Sequence, residues 1–213
     1  MAMWLALFAL LAFTSAGLLA QLPAPPRLTP LDASGRITFY VADIIPKFHT
    51  VPGDPELVRW ATQEWEAAAA GAIRLVPSDD EGTSLIRIYW VSWTQAVGGE
   101  ARPIRSNGRI TSSVFLRPGT AMMRKAFSDR VARDPLLRDV MVYHLALHEI
   151  GHALGLPHST NAQDVMAAGT SEKGNMATYD RYRAMISTRD DIRRGGWLTQ
   201  RDLAALRRRY AGL

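Results

Sequence analysis

The chain has 213 residues, of which 47% are hydrophobic and 21% are charged, and this suits one globular domain with a sizeable core. The absence of cysteine excludes a disulfide framework and any site in which cysteine binds a metal. The net charge is +5, but no nucleic-acid-binding motif accompanies it, so nucleic acid is not expected as a partner.

The first twenty residues carry no charged side chain, and their apolar core from about Met3 to Phe13 precedes several small residues. This pattern resembles a secretory signal peptide, although the basic residues that usually come first are missing. Residues 1–20 are predicted to be a cleaved signal peptide or, alternatively, an uncleaved anchor, because about twenty residues just span a bilayer. Either alternative places the protein outside the cytoplasm, secreted or in the periplasm or at the cell surface. The Pro-rich residues 21–35 are predicted to be a linker.

Hydrophobic patterns after residue 35 predict an α/β (α+β) domain. Runs of β-branched and aromatic residues predict strands over residues 36–41, 72–76, 85–91 and 110–116. Asp54-Pro55 opens a helix that Gly71 closes, and residues 120–132 suit a short helix. Gly98-Gly99 and Pro103 indicate a long loop before the last strand. Strands that alternate with one helix and then precede others indicate a layered domain with a twisted mixed sheet of four to five strands.

Two further helices follow the strands. Asp134 is a good N-cap and Pro135 suits the first helical position. Residues 136–154 are apolar nearly all round, which is typical of a central, buried helix. Thr199 and Asp202 have the spacing of a capping box and begin a C-terminal helix.

The central helix ends in a motif that starts at His148 and reads His-Glu-Ile-Gly-His-Ala-Leu-Gly-Leu-Pro-His. On a helix, His148 and His152 lie on one face, one turn apart, so they can share a metal ion. Gly155 can end the helix in the left-handed conformation, and His158 can then supply a third ligand. Three nitrogens and one water are typical of a catalytic zinc site, and Glu149 can reach that water. The alternative is a buried helix whose histidines form core hydrogen bonds.

This motif resembles the zinc-binding sequence of the metzincin metalloproteases, and of the matrixins in particular. Ser159 follows His158, and Asp164-Val165-Met166 arrives where matrixins have their methionine turn. The resemblance implies that Met166 lies beneath the zinc as an apolar floor; the alternative is an ordinary core methionine. The resemblance spans about residues 36–213, weakly in the middle and strongly at the motif. These residues are predicted to be a zincin-like catalytic domain with one catalytic Zn²⁺.

The resemblance implies an endopeptidase that hydrolyses peptide bonds in extracytoplasmic proteins or peptides. Zinc would lower the pKa of its bound water from 15.7 towards about 7, and Glu149 would move the water proton to the leaving amine. No motif identifies a second oxyanion donor, for which Tyr179 and Tyr182 are the candidates. His144 is expected to be a structural histidine rather than a partner that orients a zinc ligand.

In matrixins the strand beside the zinc forms the edge of the sheet and pairs with substrate, and here that assignment falls on Ser113, Val114, Phe115 and Leu116. The alternative is an ordinary core strand. After Met166 the matrixin tyrosine-proline is missing, and the stretch from Thr170 to Gly196 is longer than the usual specificity loop, so substrate preference does not carry over.

Surface charge suggests additional partners. The late part of the chain is rich in arginine, at Arg181, Arg183, Arg189, Arg193, Arg194, Arg201, Arg207, Arg208 and Arg209. These residues could associate with a membrane surface, as could residues 1–20, although a solvated surface is the simpler interpretation. An alternative function is an exported, non-catalytic zinc module that binds envelope polyanions through this region. Asp79-Asp80-Glu81-Gly82 could bind Ca²⁺, but without further ligands a solvated turn is favoured.

Overall fold

The computed structural model describes residues 34–92, 98–106, 109–121, 123–169 and 172–211. The expected leader (residues 1–20) and most of the expected linker lie outside the described residues. Among those that are described, no helix combines the length and the apolar character needed to cross a membrane.

Five strands form one mixed sheet, in agreement with the predicted fold class. In chain order they are β1 (Arg36–Val41), β2 (Arg74–Pro77), β3 (Ile86–Trp90), β4 (Gly99–Ser106) and β5 (Arg109–Leu116). Their order across the sheet is β2-β1-β3-β5-β4. The first four strands in that order run parallel, whereas β4 runs antiparallel to β5. Parallel neighbours need a crossover connection, and a helix supplies it between β1 and β2.

The edge strand of the sheet differs from the prediction in two ways. The segment around Pro103 was expected to be a loop, but it forms β4, which pairs with β5 on one side only. Its glycine, proline and arginine content is not typical of strands, yet an edge strand tolerates such residues because one side of it is solvated. The prediction that Ser113–Leu116 form an edge is wrong, because β5 lies between β3 and β4 and pairs with both.

The described residues form five α-helices. They are α1 (Asp54–Ala68), α2 (Lys125–Arg133), α3 (Pro135–Ala153), α4 (Glu172–Arg183) and α5 (Gln200–Tyr210), with short 3-10 turns at Pro46–Phe48 and Arg189–Arg194. Of these helices, α1 and α3 pack against strands of the sheet. The start of α3 is as predicted, since the Asp134 side chain accepts a hydrogen bond from the Leu137 amide at 3.2 Å. The capping box predicted for α5 is also present, formed by Thr199 and Asp202.

Helix α3 lies at the centre of the core. Most of its residues are buried, as the apolar sequence predicts. Trp65 of α1 is fully buried, and its Nε1 donates to the Leu147 carbonyl of α3 at 2.8 Å. This hydrogen bond and the surrounding apolar contacts fix α3 against its neighbour, so side chains near its C-terminal end are held in defined positions.

The stretch that was predicted to be a long specificity loop is not simply a loop, because most of residues 172–196 form α4 and a 3-10 turn. Helix α4 packs on α3 through aromatic contacts. The Tyr179 ring lies edge-on to the His144 ring, with centroids 5.7 Å apart, and stacks on Phe127 of α2 at 5.9 Å. The sequence did not predict α4, because its residues are largely polar and include a glycine. Tertiary contacts stabilise the helix.

Candidate metal centre

The C-terminal end of α3 presents two of the motif histidines on one face. His148 Nε2 and His152 Nε2 are 3.1 Å apart. The helix then ends in a Schellman motif, in which the Gly155 amide donates to the His152 carbonyl and the Leu156 amide to the Gly151 carbonyl. Gly155 has a φ of 88°, which favours glycine because it lacks a Cβ atom. The motif turns the chain back toward the helix face.

This turn brings His158 to the same point. His158 Nε2 lies 3.0 Å from His152 Nε2, and the ligand atoms of the three histidines all lie within 4.8 Å of one another. His148 and His152 are partly buried, whereas His158 is exposed. One side of the cluster is therefore enclosed by protein and the other is open to solvent.

Hydrogen bonds on the far side of two rings determine which nitrogen faces the centre. His148 Nδ1 lies 2.7 Å from the Val165 carbonyl oxygen, and His152 Nδ1 lies 2.8 Å from that of Leu156. Carbonyl oxygens only accept, so Nδ1 carries the proton and Nε2 keeps its lone pair. Burial lowers the pKa of His148 to about 4 and also lowers that of His152. Both imidazoles are therefore neutral near pH 7, the form that binds metals.

The donor set fits zinc. Facing lone pairs at about 3 Å repel one another unless a cation lies between them. Zn–N bonds of about 2.05 Å in tetrahedral geometry place the nitrogens roughly 3.3 Å apart, close to the spacings observed here. Three imidazoles, two of which have Nδ1 fixed by carbonyl groups, are a usual zinc-binding arrangement.

Glu149 is a buried carboxyl group next to the cluster. Its side chain is only 5% exposed, and burial, reinforced by the charge of Glu100 and opposed by that of Arg117, raises its pKa to about 7. A Cβ atom placed on Gly99 would lie 2.6 Å from Glu149 Oε1. The first residue of β4 therefore passes directly over this carboxyl group, and a Cβ atom at residue 99 would force the Glu149 side chain to shift.

The sequence model of the matrixin family matches residues 55–185, well over half of the chain. The chain belongs to the matrixins. It is thus a zinc metallopeptidase. Among solved structures, archaemetzincin from Methanopyrus kandleri is similar to it, with a TM-score of 0.47, 15% sequence identity, and coverage of 85% of this chain and 98% of that one.

In this matrixin, Met166 packs against the middle of the histidine motif. Met166 is only 2% exposed, and a Cβ atom placed on Gly151 would overlap its Sδ atom and approach Trp65 Cζ2 to 2.9 Å. Gly151 lies between His148 and His152 on α3. The thioether therefore lies against the helix backbone that carries both rings, and the glycine makes that contact possible.

Helix α5 is hydrogen-bonded to the loop that follows the histidine motif. The sequence did not predict these contacts. The Asp202 carboxylate accepts hydrogen bonds from the Val165 and Met166 amides at 3.0 and 3.2 Å. The Tyr210 hydroxyl donates to the Leu154 carbonyl at 3.0 Å. Since the Val165 carbonyl holds the His148 ring, Asp202 positions a candidate ligand through one residue of backbone. The capping-box pattern indicated Asp202, but only as the start of a helix.

Four other candidate residues have separate places in the matrixin fold. The Tyr182 hydroxyl donates to the Trp197 carbonyl at 3.1 Å, so it serves the core. Tyr179 and His144 line a cavity beside the metal centre. The Asp80 carboxylate accepts from Gly82 and Thr83 within its own turn, as a solvated turn requires.

Proposed function

We propose that this matrixin is an endopeptidase in which His148, His152 and His158 hold one zinc ion and Glu149 is the general acid–base. The observation that supports this most directly is the convergence of three Nε2 atoms beside a buried carboxyl group. When bound, zinc supplies a Lewis acid that acidifies a water ligand and polarises a carbonyl group.

The other chemical steps belong to the side chains. Glu149 accepts the proton of the attacking water through its carboxylate and then donates it to the nitrogen of the leaving amine. Burial of this side chain keeps bulk water from competing for the same proton. Met166 forms the apolar floor under the ligand helix, and its contact at Gly151 keeps the two histidines of α3 in register.

Strand β4 is the proposed substrate-binding edge, in place of Ser113–Leu116. One side of β4 pairs with β5, and the other is the outer edge of the sheet. An extended peptide can add to such an edge as a further strand, with main-chain hydrogen bonds giving affinity and pockets giving specificity. Because Gly99 of β4 lies against Glu149, a peptide on this edge passes close to the proposed general acid–base.

The proposed substrates are extracytoplasmic proteins or peptides, and the proposed catalytic domain comprises residues 36–213. The supporting observation is the signal-peptide pattern of residues 1–20. Mass spectrometry of the N-terminus after expression with the native leader tests this. A mature chain beginning near residue 21 supports export with cleavage, whereas an intact Met1 in a membrane fraction supports the anchor.

Some arginines of the arginine-rich late part of the chain form ion pairs with aspartates of the same chain. Arg183 pairs with Asp134 at 2.8 Å, and Arg194 with Asp191 at 2.6 Å. This pairing weakens the alternative in which the arginine-rich region holds polyanions.

The decisive test compares the wild-type chain with Glu149→Ala and Glu149→Gln on an unstructured protein such as casein. We expect both variants to keep one zinc ion per chain, measured by elemental analysis, and to lose hydrolysis by several orders of magnitude. Undiminished cleavage by either variant would remove Glu149 from the mechanism.

A further inference from the structure

A cavity of about 410 Å³ lies at the beginning of β1 and β2, at the opposite edge of the sheet from β4. It is lined by residues 34–36, which include the start of β1, and by residues 71–74 and 76, which include the start of β2. Ligand pockets usually measure roughly 300–1,000 Å³. The cavity is therefore large enough to hold a small ligand or the head group of a lipid.

Two arginines lie side by side in the wall of this cavity. Arg36 of β1 and Arg74 of β2 are partners in the register of two parallel strands, and such strands lie about 4.8 Å apart. The residues that follow them, Ile37 and Leu75, are buried in the core. Because side chains alternate between the two faces of a sheet, both arginines project from the face opposite the core. Both are exposed, so their guanidinium groups can bind the same ligand.

The two guanidinium groups have no acidic partner. Neither forms an ion pair or a hydrogen bond within the described ranges of the chain, and none of the residues that line the cavity is acidic. The Glu66 carboxylate, which lies beside β2, already accepts a hydrogen bond from the Leu75 amide at 2.9 Å. Like charges at paired positions of neighbouring strands repel each other, and an anion bound between them would replace this repulsion with attraction.

The surroundings of the cavity add further positive charge. Arg207 of α5 donates from Nε to the Ala68 carbonyl at 3.3 Å, at the end of α1 and three residues before Gly71 of the cavity wall. A planar guanidinium group binds phosphate oxygens through two parallel hydrogen bonds. Arginines at and beside a cavity that has no acidic group in its wall therefore favour a phosphate-bearing ligand with a net negative charge.

The position of the cavity along the chain indicates where that phosphate comes from. Ser34, the first described residue, lies in the cavity wall. Residues 21–33 separate it from the uncharged segment 1–20, which is long enough to enter a bilayer. Thirteen residues span at most about 45 Å even when fully extended. A membrane that holds residues 1–20 is therefore within reach of the two arginines, and its surface is made of phosphate-bearing head groups.

We propose that Arg36 and Arg74 bind the phosphate groups of acidic phospholipids and hold the β2 edge of the domain on an anionic membrane surface. Four strand spacings, or about 19 Å, separate β2 from β4 across the sheet. The metal centre lies beside β4, because Gly99 lies against Glu149. Attachment through β2 therefore leaves the proposed substrate-binding edge on the side away from the lipid, where it meets proteins in the surrounding solution.

The test measures binding of the zinc-loaded full chain to phospholipid vesicles by co-sedimentation at physiological ionic strength. One set of vesicles is pure phosphatidylcholine, and in the other about a third of the lipid is phosphatidylglycerol. Insertion of residues 1–20 contributes equally to both, so the ratio of the two binding constants isolates the effect of lipid charge. We expect the wild-type chain to prefer the anionic vesicles by at least about 25-fold, since each basic residue at such a surface strengthens binding about fivefold. Equal binding to both sets would overturn the proposal.

Two double variants with the same net charge locate the binding site. Arg36→Gln, Arg74→Gln should lower the preference by about 25-fold and keep the wild-type melting temperature, because both side chains are exposed. The matched control is Arg133→Gln, Arg193→Gln, which removes the same charge from exposed positions outside the cavity and should lower the preference by less than about threefold, since charges far from the surface are screened. An equal loss in the two double variants would show that net charge alone attracts the lipid and would overturn the site.

Inorganic phosphate distinguishes a membrane ligand from a soluble one. Exchange of chloride for phosphate at constant ionic strength should leave most of the wild-type chain on the anionic vesicles, because a lipid surface presents many head groups at once. If calorimetry shows that the wild-type chain binds inorganic phosphate, the Arg36→Gln, Arg74→Gln variant does not, and neither protein distinguishes the two sets of vesicles, the cavity serves a soluble phosphate compound and the membrane proposal is wrong.

Discussion

Substitution of Asp202 tests whether α5 positions the metal ligands. This carboxylate is 2% exposed and accepts hydrogen bonds from the Val165, Met166 and Thr199 amides. Asp202→Ala leaves two buried loop amides unpaired at about 1–3 kcal/mol each and removes a helix cap worth about 1 kcal/mol. The free energy of unfolding should therefore fall by about 3–7 kcal/mol. Asp202→Asn keeps one acceptor oxygen and should lose roughly half as much.

Substitution of Asp202 should weaken zinc binding as well as lower the stability of the fold. The Val165 carbonyl orients His148, and removal of such an outer partner typically weakens metal affinity by about 10–100-fold. Urea unfolding in the presence of a chelator measures stability, and competition with a chromogenic chelator measures zinc affinity.

Asp191→Ala is a matched control. Asp191 completes the same kind of capping box with Thr188, but its carboxylate accepts hydrogen bonds from the Ser187 and Thr188 amides rather than from Val165 and Met166. The control should lose stability and keep its zinc affinity. If Asp202→Asn folds and binds zinc as tightly as the wild-type chain, the connection from α5 to His148 has no energetic role.

Three further predictions concern the glycines and the metal. Gly151→Ala forces a Cβ atom into the Met166 thioether, so we expect overpacking to cost about 1–3 kcal/mol; an unchanged melting temperature would contradict this contact. Gly99→Ala places a Cβ atom 2.6 Å from the Glu149 carboxyl, and kcat/KM should fall by at least about tenfold with little change in thermal stability; equal activity would mean that β4 lies farther from Glu149. Chelation should abolish hydrolysis and lower the melting temperature, because a ligand at 1,000 times its Kd stabilises the folded state by about 4 kcal/mol. Zinc should restore both properties, and activity that persists without metal would contradict the role of the histidine cluster.

The parts of the fold that local sequence encodes were predictable. Strand β3 alternates buried and half-buried residues, and α3 begins with an N-cap and a proline. The histidine cluster was also predictable, because a helical turn and one glycine bring its members together within eleven residues of sequence. These features depend on near neighbours along the chain.

Features that depend on distant contacts were not predictable in the same way. Strand β4 has an edge-strand composition that resembles a loop, and its position on the outer side of β5 is a property of the whole sheet. Helix α4 gains stability from aromatic packing against α3 rather than from its own sequence. The hydrogen bonds of Asp202 to Val165 and Met166 span more than thirty residues, so no local pattern announces them.

The outer edge of β4 carries a risk of aggregation, and the sequence of the strand reduces that risk. An unpaired edge that accepts one extended chain can also accept the edge of another molecule, which starts aggregation. Ile104 exposes 43% of its surface there, but Arg102, Pro103 and Arg105 flank it. Repulsion between like charges and the missing N–H group of proline oppose edge-to-edge pairing of β4 strands from two molecules. The composition that disguised this strand as a loop therefore acts as a gatekeeper against self-assembly.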